Sequence, residues 1–241
     1  MLPPLHNAAN NGDGQLVKML IKGGANPNEL DNKGRTVLHY AYNLEERYVD
    51  DIIREGHVRV DGRDHANRSA LHYAAASVRD TSDFIRLMCD SGADIDGKDE
   101  SGNTPLHHAV LHDRFRKIRD LVSNRARVAR PNFYGETPLH LAAKAGDPDA
   151  LGVALAMATE LINLGAPIYM REYRRGNTPL HIAAANGHLG MVSLLIKQER
   201  RRHPDEPSTL DMLNEAGNTP LRLAALHMND DVTEMLHGLY P

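Results

Sequence analysis

The 241-residue chain has no tryptophan and only three phenylalanines. A core of large rings is excluded, and a layered core of Leu, Ala, Ile and Val is expected instead. A single cysteine, Cys89, rules out a disulfide framework within the chain and suits a reducing compartment. No run approaches the ~20 apolar residues that a membrane-spanning helix needs. Excess positive charge is also missing: the formal net charge is −4, against the strongly basic balance of a nucleic-acid binder. Phosphate loops, zinc-protease His pairs and nucleophile elbows are absent as motifs. Gly12-Asp13-Gly14 starts like a dinucleotide fingerprint, but Val17 stands at the third glycine and no strand precedes it. It reads as a turn between two helices. Met1-Leu2-Pro3-Pro4 shows no basic-then-apolar leader, so a cytosolic or nuclear location is expected.

What the chain does have is one phrase, repeated. It appears as Pro4-Leu5-His6-Asn7-Ala8-Ala9, Thr36-Val37-Leu38-His39-Tyr40-Ala41 and Ser69-Ala70-Leu71-His72-Tyr73-Ala74. It returns as Thr104-Pro105-Leu106-His107, Thr137-Pro138-Leu139-His140, Thr178-Pro179-Leu180-His181 and, altered, Thr219-Pro220-Leu221-Arg222. The leucines are spaced by 33, 33, 35, 33, 41 and 41 residues. Thr or Ser can cap a helix start, and the following proline loses nothing at the first helical position. A short inner helix (Leu-His-x-Ala-Ala) is then followed by an outer one, with apolar spacing as in Leu16, Val17, Leu20 and Ile21. Gly24 and Gly92 are placed to end such outer helices. Helices this short are marginal alone, so they must stack on their neighbours.

A period near 33 with T-P-L-H-x-A resembles the ankyrin-repeat family. The resemblance covers seven copies and nearly the whole chain. It implies an all-α repeat solenoid, a stack of helix-turn-helix units with hairpin fingers. Residues 1–241 are expected to form one domain, with repeats near 1–33, 34–66, 67–101, 102–134, 135–175, 176–216 and 217–241. Pro3 in place of the capping Thr, and Arg222 in place of His, read as end caps. Six motif histidines suggest a metal, but they recur one per layer rather than converging on one ion. In the family such a histidine ties neighbouring fingers together, and the same role is implied here.

Two repeats are long by eight residues. In the fifth, the excess falls in Pro148 to Gly165, read as an extended outer helix or as a protrusion toward a partner. In the sixth, Gln198 to Thr209 is expected to be a mobile charged loop, because Pro204 and Pro207 break helix. Arg200, Arg201 and Arg202 read as a solvated face or as an import or acidic-partner patch. Arg125, Arg127, Arg171, Arg174 and Arg175 would line the fingers of repeats four to six. They form a basic edge that attracts an acidic segment, or they merely solvate the fingers.

The resemblance also implies where contacts would fall: finger tips and the inner-helix face. On this chain those places include Lys33 and Arg35, Arg68 (with Asn67 where Gly is usual), Leu111 and His112. They continue with Phe133, Tyr134 and Lys144, then Arg174 and Arg175. Phe133 and Tyr134 lead, as aromatics at a tip in an aromatic-poor chain, with Arg174 and Arg175 one repeat away. The alternative places Phe133 folded back over its neighbouring finger. Cys89, in an outer helix with no base beside it, reads as a small core residue.

The expected function is a non-enzymatic scaffold or adaptor that binds another protein, with an acidic segment as one candidate. No catalytic residue, cofactor or metal is expected, and a monomer is. The rivals are an IκB-like inhibitor, a host-directed effector acting in a host cytosol, and a recruiting subunit for a separate enzyme. A small ligand or nucleic acid on the basic edge is disfavoured by the net charge.

Overall fold

The computed structural model describes residues 2–56, 58–145, 151–202 and 208–239. The chain divides into two compact units, Met1–Ala126 and Arg127–Pro241. Among the described residues the regular structure is helical throughout, with no strand.

In the first unit, inner helices α1 (Pro4–Asn10), α4 (Ala70–Ala76) and α6 (Pro105–Leu111) alternate with outer helices. The outer ones are α2 (Gly14–Lys22), α3 (Glu46–Gly56), α5 (Ser82–Asp90) and α7 (Phe115–Ser123). Here α1 packs on α2, α4 on α5 and α6, and α6 on α7. The seam contains the fully buried Leu5, Leu38, Leu71 and Leu106, with Ile52, Ile85, Met88, Ile118 and Leu121 behind them. The second repeat departs from expectation. Its inner segment is two 3-10 turns, Val37–His39 and Ala41–Asn43, rather than an α-helix. Val37 stands where most other copies have proline and Tyr42 where most have alanine, and Tyr is a weaker helix former than Ala.

In the second unit the inner helices are α8 (Pro138–Lys144), α10 (Pro179–Ala185) and α12 (Pro220–Leu226). The outer helices are α9 (Leu151–Asn163), α11 (Leu189–Arg202) and α13 (Asp230–His237). The extra length of the fifth repeat is helical, and α9 keeps Ala154, Met157, Ala158, Leu161 and Ile162 on the core. The sixth repeat corrects the expected loop: α11 runs on through Gln198 to Arg202. Gln, Glu and Arg favour helix. Gln198 and Glu199 are buried, and the Glu199 carboxylate accepts the N–H and hydroxyl of Thr209. Arg200 and Arg201 are exposed on the last turn. Pro148, Ala150, Pro204 and Pro207 lie outside the described residues.

The motif histidines hold the layers together. Nδ1 of His39, His72, His107, His140 and His181 accepts the backbone N–H of the capping Thr or Ser, at 3.0–3.3 Å. That leaves the ring proton on Nε2, which donates to a carbonyl of the next finger. His6 reaches Arg35 O (2.9 Å), His39 reaches Arg68 O (3.0 Å) and His72 reaches Asn103 O (3.0 Å). In the second unit His140 bonds Met170 O at 3.0 Å and His181 bonds Asn218 O at 3.1 Å. His6 alone has a buried Nδ1 without a partner, because Pro3 has neither N–H nor hydroxyl to offer.

Outer helices α2, α5, α7 and α9 close on a left-handed residue. Gly24, Gly92 and Gly165 take φ of 90°, 92° and 93°, each donating to the carbonyl three residues back. Arg125 fills the same place after α7 with φ 74° and the same bond to Val122 O. A side chain there strains the backbone. We therefore expect Arg125→Gly to raise stability by about 0.5–1 kcal/mol, net of the extra freedom glycine adds to the unfolded chain, as read by urea denaturation.

Burial holds His39, His140 and His181 below the usual imidazole range and takes His72 down to about 3. Each ring folds neutral, so its contribution is complete above the unfolded value near 6.5 and is lost as protons are taken up below it. The melting temperature should be flat from about pH 7 to 8 and fall steadily from about pH 6.5 toward 3.

Candidate interaction surface

Every finger is built on an acid or amide that gathers the turn's own amides. Asp31 Oδ1 accepts Lys33 N (2.8 Å) and Arg35 N (2.9 Å), while Asp31 N donates to Arg35 O. Asp64, Asp99, Asn132 and Asn214 repeat this pattern. The fifth finger is one residue longer: Glu172 substitutes its longer carboxylate and accepts from Arg174, Arg175 and Asn177. Neighbouring fingers are then bonded main chain to main chain. His65 N donates to Lys33 O (2.9 Å) and Glu100 N to Ala66 O (3.1 Å) in the first unit. Tyr173 N donates to Tyr134 O, and Glu215 N to Arg175 O, both at 2.8 Å, in the second.

The candidate contact residues divide between the units. In the first, Lys33 is exposed at a tip, and Leu111 and His112 are exposed at the end of α6. Arg35 and Arg68 are otherwise engaged. Each guanidinium pairs with the finger aspartate (Asp31 at 2.7 Å, Asp64 at 2.9 Å) and lies over a tyrosine ring, Tyr40 at 4.6 Å and Tyr73 at 4.8 Å. The tyrosine hydroxyl completes the cluster with a 2.6 Å bond to the same carboxylate. Burial works to raise Asp31 and Asp64, but the tyrosine hydroxyl, the finger amides and the arginine together hold both below the usual carboxylate range. Burial, with the bond to Asp64, pushes Tyr73 up to about 12. In the fourth repeat His108 replaces the tyrosine, bonding Asp99 at 2.8 Å and stacking on His112 at 5.9 Å. Burial, then His108, lowers the His112 pKa.

In the second unit Phe133 and Tyr134 stand out from their finger, 60% and 45% exposed. Arg174 sits with its guanidinium carbon 5.8 Å from the Tyr134 ring centroid, and Arg175 is exposed beside it. Tyr173, which sequence reasoning did not select, is 65% exposed and packs over Gly135. The one-residue lengthening of the Glu172 finger hid its equivalence to Phe133, since both directly follow the residue that organises the turn. Lys144 is exposed on α8, with Nζ 3.6 Å from Glu136. The structure thus brings Phe133, Tyr134, Arg174 and Arg175 onto adjacent fingers, with Tyr173 among them.

No group of His, Cys, Asp and Glu that could hold a metal occurs among the described residues. Cys89 is half-buried, and burial pushes its thiol up to about 11. A protonated thiol is a poor nucleophile at neutral pH. No helix among the described residues is long and apolar enough to cross a membrane.

A family model for ankyrin repeats (three copies) matches residues 5–99, 49–132, 83–155 and 152–239. The chain belongs to the ankyrin-repeat family. Among curated proteins it is similar to human inversin, 32% identical over 236 residues, covering 81% of this chain and 21% of inversin. It is also similar to the mouse B-cell lymphoma 3 protein homolog, 29% identical over 187 residues, covering 75% of this chain and 39% of that one. NF-kappa-B inhibitor alpha from Sus scrofa is 31% identical over 144 residues, 58% of this chain and 43% of that protein. The chain therefore spans well under half the length of these relatives. Ankyrin repeats are protein-interaction modules, and that general role is the one the family carries to this chain.

Gly135 has φ 80°, and a Cβ there would stand 2.5 Å from Tyr173 N. Gly135→Ala should therefore cost about 1–3 kcal/mol by urea denaturation and displace the Tyr173 finger, whereas Lys144→Ala should be near neutral.

Proposed function

We propose that this protein is a non-enzymatic adaptor that holds an acidic segment of another protein on the finger edge of its second unit. The supporting observation is the pairing of exposed rings with guanidinium groups: Phe133, Tyr134 and Tyr173 interleave with Arg174 and Arg175 on two hydrogen-bonded fingers. The finger's own carboxylate, Glu172, is buried and occupied by three main-chain amides, while Glu215 on the next finger is exposed and joined to Arg175 O through its main-chain N–H. An apolar side chain of the partner would lie on the rings while its carboxylates meet the arginines, the combination favoured at interface hot spots. The backbone beneath the rings is already fixed by finger hydrogen bonds, which limits the entropic cost of binding. The cytoplasm or nucleus is the proposed place of action. A second reading, an inhibitor that works by occupying its partner, is supported by the similarity to NF-kappa-B inhibitor alpha.

Purification of bound proteins with the wild type and with the Phe133→Ala, Arg174→Ala, Arg175→Ala variant tests the patch. A partner held by the wild type should fall by roughly tenfold or more with the variant, at unchanged circular dichroism. It should also fall as salt is raised toward 1 M, where the screening length is ~3 Å. Retention that is indifferent to both changes would remove this edge from the account.

A further inference from the structure

Neighbouring outer helices of the first unit are tied to one another by polar side chains. Lys18 of α2 meets Asp51 of α3 at 2.8 Å, and Arg86 of α5 meets Glu46 of α3 at 2.6 Å. Ser82 of α5 donates to Asp120 of α7 at 3.1 Å, with Lys117 of α7 beside Asp80. In the second unit α11 and α13 lack such a tie. Among the described residues no hydrogen bond or ion pair crosses from one to the other. Helix α13 also packs less extensively on α11 than α9 does.

Between α11 and α13 lies a groove of about 710 Å³. Its α11 side is Leu189, Gly190 and Ser193. Leu189 is 41% exposed, although it opens a helix whose Met191, Val192 and Leu195 are buried. Gly190 and Ser193 are too small to fill the space beside it. The facing side carries Met235 and Leu239 as apolar surface, with the carboxylates of Asp231 and Glu234 among them. Asp231 sits in the first turn of α13, where an acid complements the positive helix end. That reason does not extend to Glu234, one turn further on. Both carboxylates are exposed, and neither has a cation partner among the described residues. The next cation on α11 is Lys197, one turn beyond Ser193 and outside the groove lining.

The groove therefore has apolar surface and carboxylates but not the cations that close the junctions of the first unit. We infer that it receives a basic amphipathic helix of another protein. The apolar face of that helix would lie on Leu189, Met235 and Leu239, and its Lys or Arg side chains would meet Asp231 and Glu234. The two unpaired carboxylates set the sign of the occupant's charge. Helix α13 offers about two turns, roughly 11 Å, which suits anchors at i, i+3 or i+4, and i+7. Gly190 and Ser193 let a helix backbone come close, and Met235 can adapt to what covers it. A strand would need a free sheet edge, and no strand occurs among the described residues. A nucleic acid or an anionic lipid surface would be repelled by the acids. This surface is on the outer helices and opposite in sign to the finger edge, so it does not rest on the acidic-segment reading.

The test is a two-dimensional amide NMR titration of the full chain with a synthetic helical peptide of about 14 residues. Leucines recur at every third or fourth position, with lysines flanking them. Two control peptides replace the lysines with glutamates, or scramble the order at the same composition. The lysine peptide should shift the Gly190, Ser193, Glu234, Met235 and Gly238 amides, and neither control should. Asp231→Asn with Glu234→Gln, both on exposed side chains, should weaken binding by about fivefold or more. Because Asp231 also supports the start of α13, Ser193→Arg is the second variant. It supplies the missing cation from within, and should weaken the peptide by a similar factor without lowering the melting temperature.

No shift at those amides at about 1 mM lysine peptide, or equal shifts with either control, would overturn the inference. So would binding that survives both variants. A dimer in sedimentation equilibrium that Leu189→Asp dissociates would also overturn it, because the groove would then belong to a second copy of this chain.

Discussion

A single imidazole orientation carries the architecture. The N–H of the capping Thr or Ser fixes Nδ1 as an acceptor, so Nε2 has only one use, donation to the carbonyl of the following finger. Two layers are thereby bonded through one neutral ring buried at their junction. Charging that ring would turn Nδ1 into a donor facing another donor. Burial keeps this from happening at neutral pH. The aromatic clusters add a second tie beside it, with His6 edge-on to Tyr40 at 5.8 Å and His39 edge-on to Tyr73 at 5.6 Å. Leucine and alanine behind these bonds supply the apolar area, and the bonds fix the register at which that area is buried.

Much of this was legible in the sequence because each element has a local cause. Thr-Pro-Leu-His places a cap, a helix start, a core anchor and a bridge within four residues, and the left-handed glycines at 24, 92 and 165 close the outer helices. The same locality explains what was missed. Whether Val37 to Asn43 coils as α or 3-10 depends on small differences in propensity that tertiary packing decides. The prolines at 204 and 207 drew attention to a break, but the five residues from Gln198 to Arg202 are ordinary helix formers anchored by the buried Glu199.

The candidate surfaces were less legible for a related reason. Family position alone selects Arg35 and Arg68 as contact residues, yet the aspartates and tyrosines of their own fingers engage them. The same counting overlooked Tyr173, because the finger around Glu172 is longer by one residue. Periodicity locates a residue in a layer. It does not say whether its charge is already spent, and only the surrounding donors and acceptors do. Basic residues illustrate the limit: Arg114 caps α7 and Arg116, Lys117 and Arg119 lie on it, so none of the four belongs to a finger.

Building the Glu172 finger on a buried carboxylate separates its framework from its tip. The three amide bonds to that carboxylate come from the main chain at 174, 175 and 177, and the finger's outward bonds join main chain to main chain at Tyr134 and Glu215. None of these uses the side chains of Tyr173, Arg174 or Arg175. Their identities can therefore be rewritten without loosening the scaffold beneath them, so natural variation could retarget this loop at little energetic penalty as long as the glutamate and Gly176 persist.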